Sequence, residues 1–139
     1  MSWSWAHIGV AALGLSSLAG CAEVETVKAP VEIPSRIYSA NESSNDVSVI
    51  DATSYAPVGT IDSKNQSTHD LAVSRDGRRV YATNLASGRL SVMDAGTMET
   101  IASIYTGQRC HVVALTNDNK QAWVANIGDN NISIVDTET

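Results

Sequence analysis

His69-Asp-Leu-Ala-Val-Ser, Arg75-Asp-Gly-Arg, Arg79-Val-Tyr-Ala-Thr-Asn, Leu85-Ala-Ser-Gly, Arg89-Leu-Ser-Val-Met-Asp and, after a turn, Ile101-Ala-Ser-Ile-Tyr read in that order between His69 and Gly107. Four of these runs are rich in Val, Ile, Leu, Thr and Tyr and alternate in polarity. Turn residues separate them, a pattern that predicts a four-stranded antiparallel meander. No part of the stretch has helical periodicity.

The unit recurs on both sides. Tyr38, Tyr81 and Trp123 each stand thirteen residues before Asp51, Asp94 and Asp136, and each is followed three residues later by Asn41, Asn84 and Asn126. The steps are 43 and 42 residues. A period of about 40 to 45 residues with four strands per unit predicts β-propeller blades. The turns repeat their physics too: Gly77 aligns with Asn119, and Gly88 with Asn130 and Asn45. Gly and Asn tolerate positive φ best, so each hairpin keeps a left-handed position where the letter changes. Asp51, Asp94 and Asp136 end their strands, where a short carboxylate accepts from the following turn. Pro57 opens an outermost strand, which can lack a donor.

Ten strands follow. The first unit has three, near Arg36 to Asn41, Asp46 to Asp51 and Val58 to Asp62. The second has four, near His69 to Ser74, Arg79 to Asn84, Arg89 to Asp94 and Ile101 to Thr106. The third has three, near His111 to Thr116, Gln121 to Asn126 and Asn131 to Asp136. The fold class expected is all-β, about two and a half blades of an incomplete ring. A propeller closes with about four to eight blades. The sequence is therefore expected to be a fragment of a longer propeller, or a chain that completes a ring with other copies, with self-association through its open blade edges.

Tyr38-Ser-Ala-Asn, Tyr81-Ala-Thr-Asn and Trp123-Val-Ala-Asn resemble the Tyr-Val-Thr-Asn motif of the YVTN β-propeller repeats. Ser48-Val-Ile-Asp, Ser91-Val-Met-Asp and Ser133-Ile-Val-Asp resemble that family's second element, and Ser74-Arg-Asp-Gly-Arg its turn. The resemblance covers residues 36–139 and extends to YncE-like and cytochrome d1 haem-domain-like propellers of bacterial envelopes. It implies a fold and a compartment more than an activity.

Residues 1–20 carry no Lys, Arg, Asp or Glu, and Ile8 to Gly20 are apolar and small. The segment is short for a membrane span and suits a signal peptide, although its first residues lack a fixed positive side chain. Leu18-Ala-Gly-Cys21 resembles a bacterial lipobox, which implies cleavage before Cys21 and its lipidation. Ala22, rather than Asp, then implies sorting to the outer membrane, facing the periplasm. Acyl chains would anchor the product, each buried CH₂ contributing about 0.8 kcal/mol. Residues 21–35, with Pro30 and Pro34, read as an extended tether, or with Val31 to Ile33 as an added edge strand. Nine basic and fifteen acidic residues give a net charge of −6. No basic run exists, so nucleic acid is not an expected partner. A membrane through the lipid, and an unidentified protein or small molecule, are.

His69 and His111 occupy one repeat position, each opening the innermost strand of its unit, so both are expected near the rim of the central channel. Two readings stand: backbone hydrogen bonding between blades, or, as the resemblance to haem d1-type propellers implies, an axial ligand to haem from one of them. Cys110, in Gln108-Arg-Cys-His, would be the sole free thiol once Cys21 is acylated. Arg109 and His111 make it a candidate reactive thiol with a lowered pKa, the other reading being a buried, inert residue. No nucleophile elbow, phosphate loop or zinc motif is present, so no catalytic or metal-ligating set is assigned. Asp76 and Asp118 read as turn formers, and Tyr38, Tyr81 and Trp123 as blade packing. The functional expectation is a lipid-anchored propeller acting as a binding or scaffold module. The alternative is a redox or cofactor-handling protein with His69 or His111 as ligand.

Overall fold

The computed structural model describes residues 34–138. The expected signal peptide over residues 1–20, the lipidation at Cys21 and most of the tether lie outside the described residues. Ten strands follow in order: β1 Arg36–Asn41, β2 Asp46–Asp51, β3 Pro57–Asp62, β4 Thr68–Val73, β5 Arg79–Asn84, β6 Arg89–Asp94, β7 Glu99–Tyr105, β8 Cys110–Leu115, β9 Gln121–Asn126 and β10 Asn131–Asp136. They form three antiparallel sheets, β1-β2-β3, β4-β5-β6-β7 and β8-β9-β10, each a sequential meander. We call these blades 1, 2 and 3. No helix occurs among the described residues. This is a segment of a β-propeller.

The repeat is kept in register as well as in sequence. Tyr38 pairs with Val49, Tyr81 with Val92 and Trp123 with Ile134, the same cross-strand pair in each blade. Asn45, Gly88 and Asn130 have φ of 62°, 65° and 52°, and Gly77 and Asn119 have 70° and 60°. The left-handed positions stand where Gly and Asn alternate. The Asp51 carboxylate accepts from Thr53 and Ser54 N–H, and that of Asp94 from Gly96 and Thr97 N–H. These backbone bonds hold both carboxyls below the usual carboxylate range. Depressed values stabilise the fold above that range, and the contribution is lost as pH falls through the folded values.

Burial lies between blades. Val47, Val49 and Ile61 of blade 1 close on Val80, Ala82 and Met93 of blade 2. Tyr81 and Leu90 of blade 2 close on Cys110, Val113, Ala122 and Val124 of blade 3. Each side chain the size of Ile61 or Leu90 contributes about 1.5–3 kcal/mol when fully buried, and both are at most 1% exposed. A polar latch repeats on each seam. The Asn84 amide donates to the Ser91 hydroxyl, which donates to the Ser63 carbonyl leaving blade 1. In blade 3, Asn126 donates to the Ser133 hydroxyl, which donates to the Thr106 carbonyl leaving blade 2. The Tyr-x-x-Asn and Ser-x-x-Asp motifs therefore weld one blade to the next.

Where the repeat drifts, polar atoms lose partners. The Tyr81 hydroxyl has Thr137 beside it as a partner. Its counterpart on Tyr38 is buried and unpaired, because the position equivalent to Thr137 is Ala95, fully buried. Ala95→Ser is expected to supply the missing partner and raise stability by about 1 kcal/mol, read as a higher midpoint in urea unfolding. An unchanged or lower midpoint would contradict that account. In the same way Thr68 donates to the Asn84 side-chain oxygen, whereas Asn126 Oδ1 is unpaired because Cys110 replaces that threonine.

Candidate functional site

The inner strands of blades 2 and 3, β4 and β8, lie side by side. Each is entered through a residue in the left-handed region, Ser67 at φ 60° and Arg109 at φ 51°. Each then breaks register with its neighbour, between Thr68 and Leu71 in β4 and between Cys110 and Val112 in β8. His69 and His111 sit within these two bulges. Bulges re-aim side chains, and here the two imidazoles meet with ring centroids 4.2 Å apart and planes tilted by 40°. The two histidines thus lie against each other on the inner strands of adjacent blades.

Two residues that the repeat reading did not single out hold the pair in place. The Thr83 hydroxyl donates to the His111 carbonyl at 2.9 Å and accepts from the Asp70 N–H at 3.1 Å. The Asp70 carboxylate accepts from Val113 N–H at 2.9 Å, crossing from β4 to β8. The sequence did carry a signal for them. Equivalents of Asp70 and Thr83 in blade 3 are the apolar Val112 and Ala125, so two polar residues interrupt positions that are apolar elsewhere in the repeat.

The chemistry available is that of two imidazoles. Among the described residues His69 Nδ1 is buried with no hydrogen-bond partner, an uncommon state for a buried polar atom. Among the described residues no group of three or more His, Cys, Asp or Glu could hold a metal ion.

Of the two readings of Cys110, a reactive thiol activated by Arg109 and His111 or a buried residue, its placement agrees with the second. The residue is fully buried in the seam between blades 2 and 3, its Sγ–H directed at the Asn84 and Arg89 carbonyls at 3.2 and 3.3 Å. Burial pushes its pKa up, and the neighbours in sequence do not offset that. Asp76 and Asp118 are turn formers, accepting from the Ser74 and Thr116 hydroxyls and from the Arg78 and Lys120 N–H. Those hydroxyl bonds, first, and the backbone bonds lower both carboxyls, which leaves neither suited to act as an acid near neutral pH.

Repeated antiparallel meanders of three or four strands, with seams between their faces and histidines on the inner strands, place the chain among β-propellers. No protein-family model matches it, and no curated protein sequence does. Solved structures do. Hydrazine synthase of Kuenenia stuttgartiensis is similar at a TM-score of 0.72 and 25% identity, over 86% of this chain and 37% of that one. The dihydro-haem d1 dehydrogenase NirN, in complex with DHE, is similar at 0.66 and 20% identity, over 76% of this chain and 22% of that one. A Bacteroides fragilis protein assigned as a 6-phosphogluconolactonase is similar at 0.65 and 22% identity, over 71% and 31%. The chain spans little more than a third of these proteins at most, and the likeness is one of fold.

Proposed function

We propose that this chain is part of an envelope β-propeller that acts as a binding and scaffold module, attached to the membrane through a lipid on Cys21, with the channel-side histidine pair as its point of ligand contact. The observation that carries this reading is the convergence of His69 and His111 at 4.2 Å on neighbouring inner strands. Propellers commonly receive ligands at such a channel, where several blades contribute side chains to one place. Leu18-Ala-Gly-Cys21 supports the anchor.

A second reading, a haem-handling protein, is favoured by the unpaired His69 Nδ1 and by the haem d1 dehydrogenase among the similar structures. Haem would bring one-electron chemistry. This chain would bring an axial nitrogen from His69 or His111 and the Asp70 and Thr83 bonds that fix their strands. Titration of the protein with haem, followed by absorbance, separates the two readings. If a histidine is a ligand, the Soret band shifts on binding and the shift is lost in His69→Ala or His111→Ala. No shift, or the same shift in both variants, removes the haem reading and leaves the scaffold reading.

A further inference from the structure

We propose that the pair His69 and His111 is a copper(II) site, each imidazole giving the ion one nitrogen. This builds on the reading of the pair as the point of ligand contact and names the ligand class. Ring spacing is the first ground. An ion about 2.0 Å from one nitrogen of each ring would hold the centroids about 4.5 Å apart with its two bonds at a right angle, and about 5.1 Å apart with tetrahedral bonds. The centroids stand at 4.2 Å, nearer the right angle, which is the geometry of tetragonal copper(II) rather than of zinc. The tilt is the second ground. Ring lone pairs lie in the ring planes, so parallel rings aim theirs side by side, while planes inclined by 40° meet along a line where one ion can take both.

The backbone builds this pair at one seam. Each histidine falls in a bulge of its own inner strand, between Thr68 and Leu71 and between Cys110 and Val112, so neither is held in the cross-strand ladder. The Thr83 hydroxyl ties the Asp70 N–H to the His111 carbonyl, and the Asp70 carboxylate takes the Val113 N–H. These bonds fix the two bulges against each other. Blades 1 and 3 have Ala40 and Ala125 in place of Thr83, so the tie belongs to this seam and is not a property of every blade. His69 Nδ1 has no partner among the described residues, and that nitrogen is therefore not already committed. Two protein nitrogens leave the other positions of the ion to solvent, in keeping with the lack of any larger donor group among the described residues. For a nitrogen set, copper binds most tightly of the divalent first-row ions.

The test uses the 139-residue chain carrying His7→Ala, which leaves His69 and His111 as its histidines, and Cys21→Ala, which leaves the buried Cys110 as its thiol. Copper(II) is added to one equivalent and read by pulsed electron paramagnetic resonance, which counts the imidazoles on the ion. One ion per chain with two equatorial imidazoles is expected. His69→Ala and His111→Ala should each leave one imidazole and weaken binding at least about tenfold, the loss that follows even from removing a partner of a ligand. Thr83→Val should weaken binding about tenfold with both imidazoles still on the ion, and Thr83→Ser should restore it. Circular dichroism checks the fold, and His69→Gln or His111→Gln replaces an alanine variant that unfolds. No binding at one equivalent, a single imidazole on the ion before either histidine is replaced, or affinity unchanged in both histidine variants would overturn the proposal. A histidine-dependent haem shift without a copper site would overturn it too, while leaving the pair as the point of ligand contact.

Discussion

Asn84→Ala is expected to cost about 3–5 kcal/mol, since each buried group left unpaired costs about 1–3 kcal/mol. Asn84 is fully buried. Its amide donates to the Ala82 and Arg89 carbonyls and the Ser91 hydroxyl, and its oxygen accepts from Thr68. Removing it strands Thr68, weakens Ser91's hold on the Ser63 carbonyl of the preceding blade, and leaves a polar-lined cavity. The loss thus falls on β4, β5, β6 and one seam together. Among the described residues Asn41, the equivalent in blade 1, donates to Asp46 and Ser48, and it is partly exposed, so Asn41→Ala should cost nearer 1 kcal/mol. Urea unfolding of both variants checks the ordering, and equal losses would show that the latch is not what distinguishes the sites.

Gly88→Ala should be nearly as severe, at about 2–4 kcal/mol, by adding left-handed strain to overpacking. Gly88 has φ 65°. A Cβ there would run into the Gly107 backbone and approach the Tyr105 ring to 3.2 Å. The cause lies in the connection between blades. Five residues, Ser63 to Ser67, link blade 1 to blade 2, but four, Thr106 to Arg109, link blade 2 to blade 3. That missing residue is the difference between the repeat steps of 43 and 42. The shorter connection passes close over the β5–β6 turn, with Gly107 itself at φ 152°. Asn45 and Asn130 hold the same left-handed turn with a side chain, so positive φ alone is tolerated. Gly88→Asn should therefore also destabilise, by the steric part of the effect, as thermal unfolding would register.

What could be read from the letters was whatever each blade does by itself. Alternation set the strands to within two residues of where they stand, and Gly77, Gly88, Asn45, Asn119 and Asn130 announced their turns through backbone sterics that act locally. What depends on a neighbouring blade was less legible. The bulges at His69 and His111 arise where inner strands from two blades meet. The partnerless Tyr38 hydroxyl depends on Ala95, far along the chain and across a seam. Cys110 showed the hazard most plainly, since Arg109 and His111 flank it in sequence while its side chain turns into the seam, where burial governs the thiol. The step from 43 to 42 was visible in the repeat, yet its meaning required knowing which connection had lost the residue and what lay beneath it.

The central claim is that inner strands of consecutive blades converge to set His69 against His111. Solution NMR of the protein labelled at its three histidines, His7, His69 and His111, tests this most directly. The structure, with ring centroids 4.2 Å apart, predicts cross-relaxation between ring protons of His69 and His111, absent when either is replaced by alanine. Rings that show none would contradict the account.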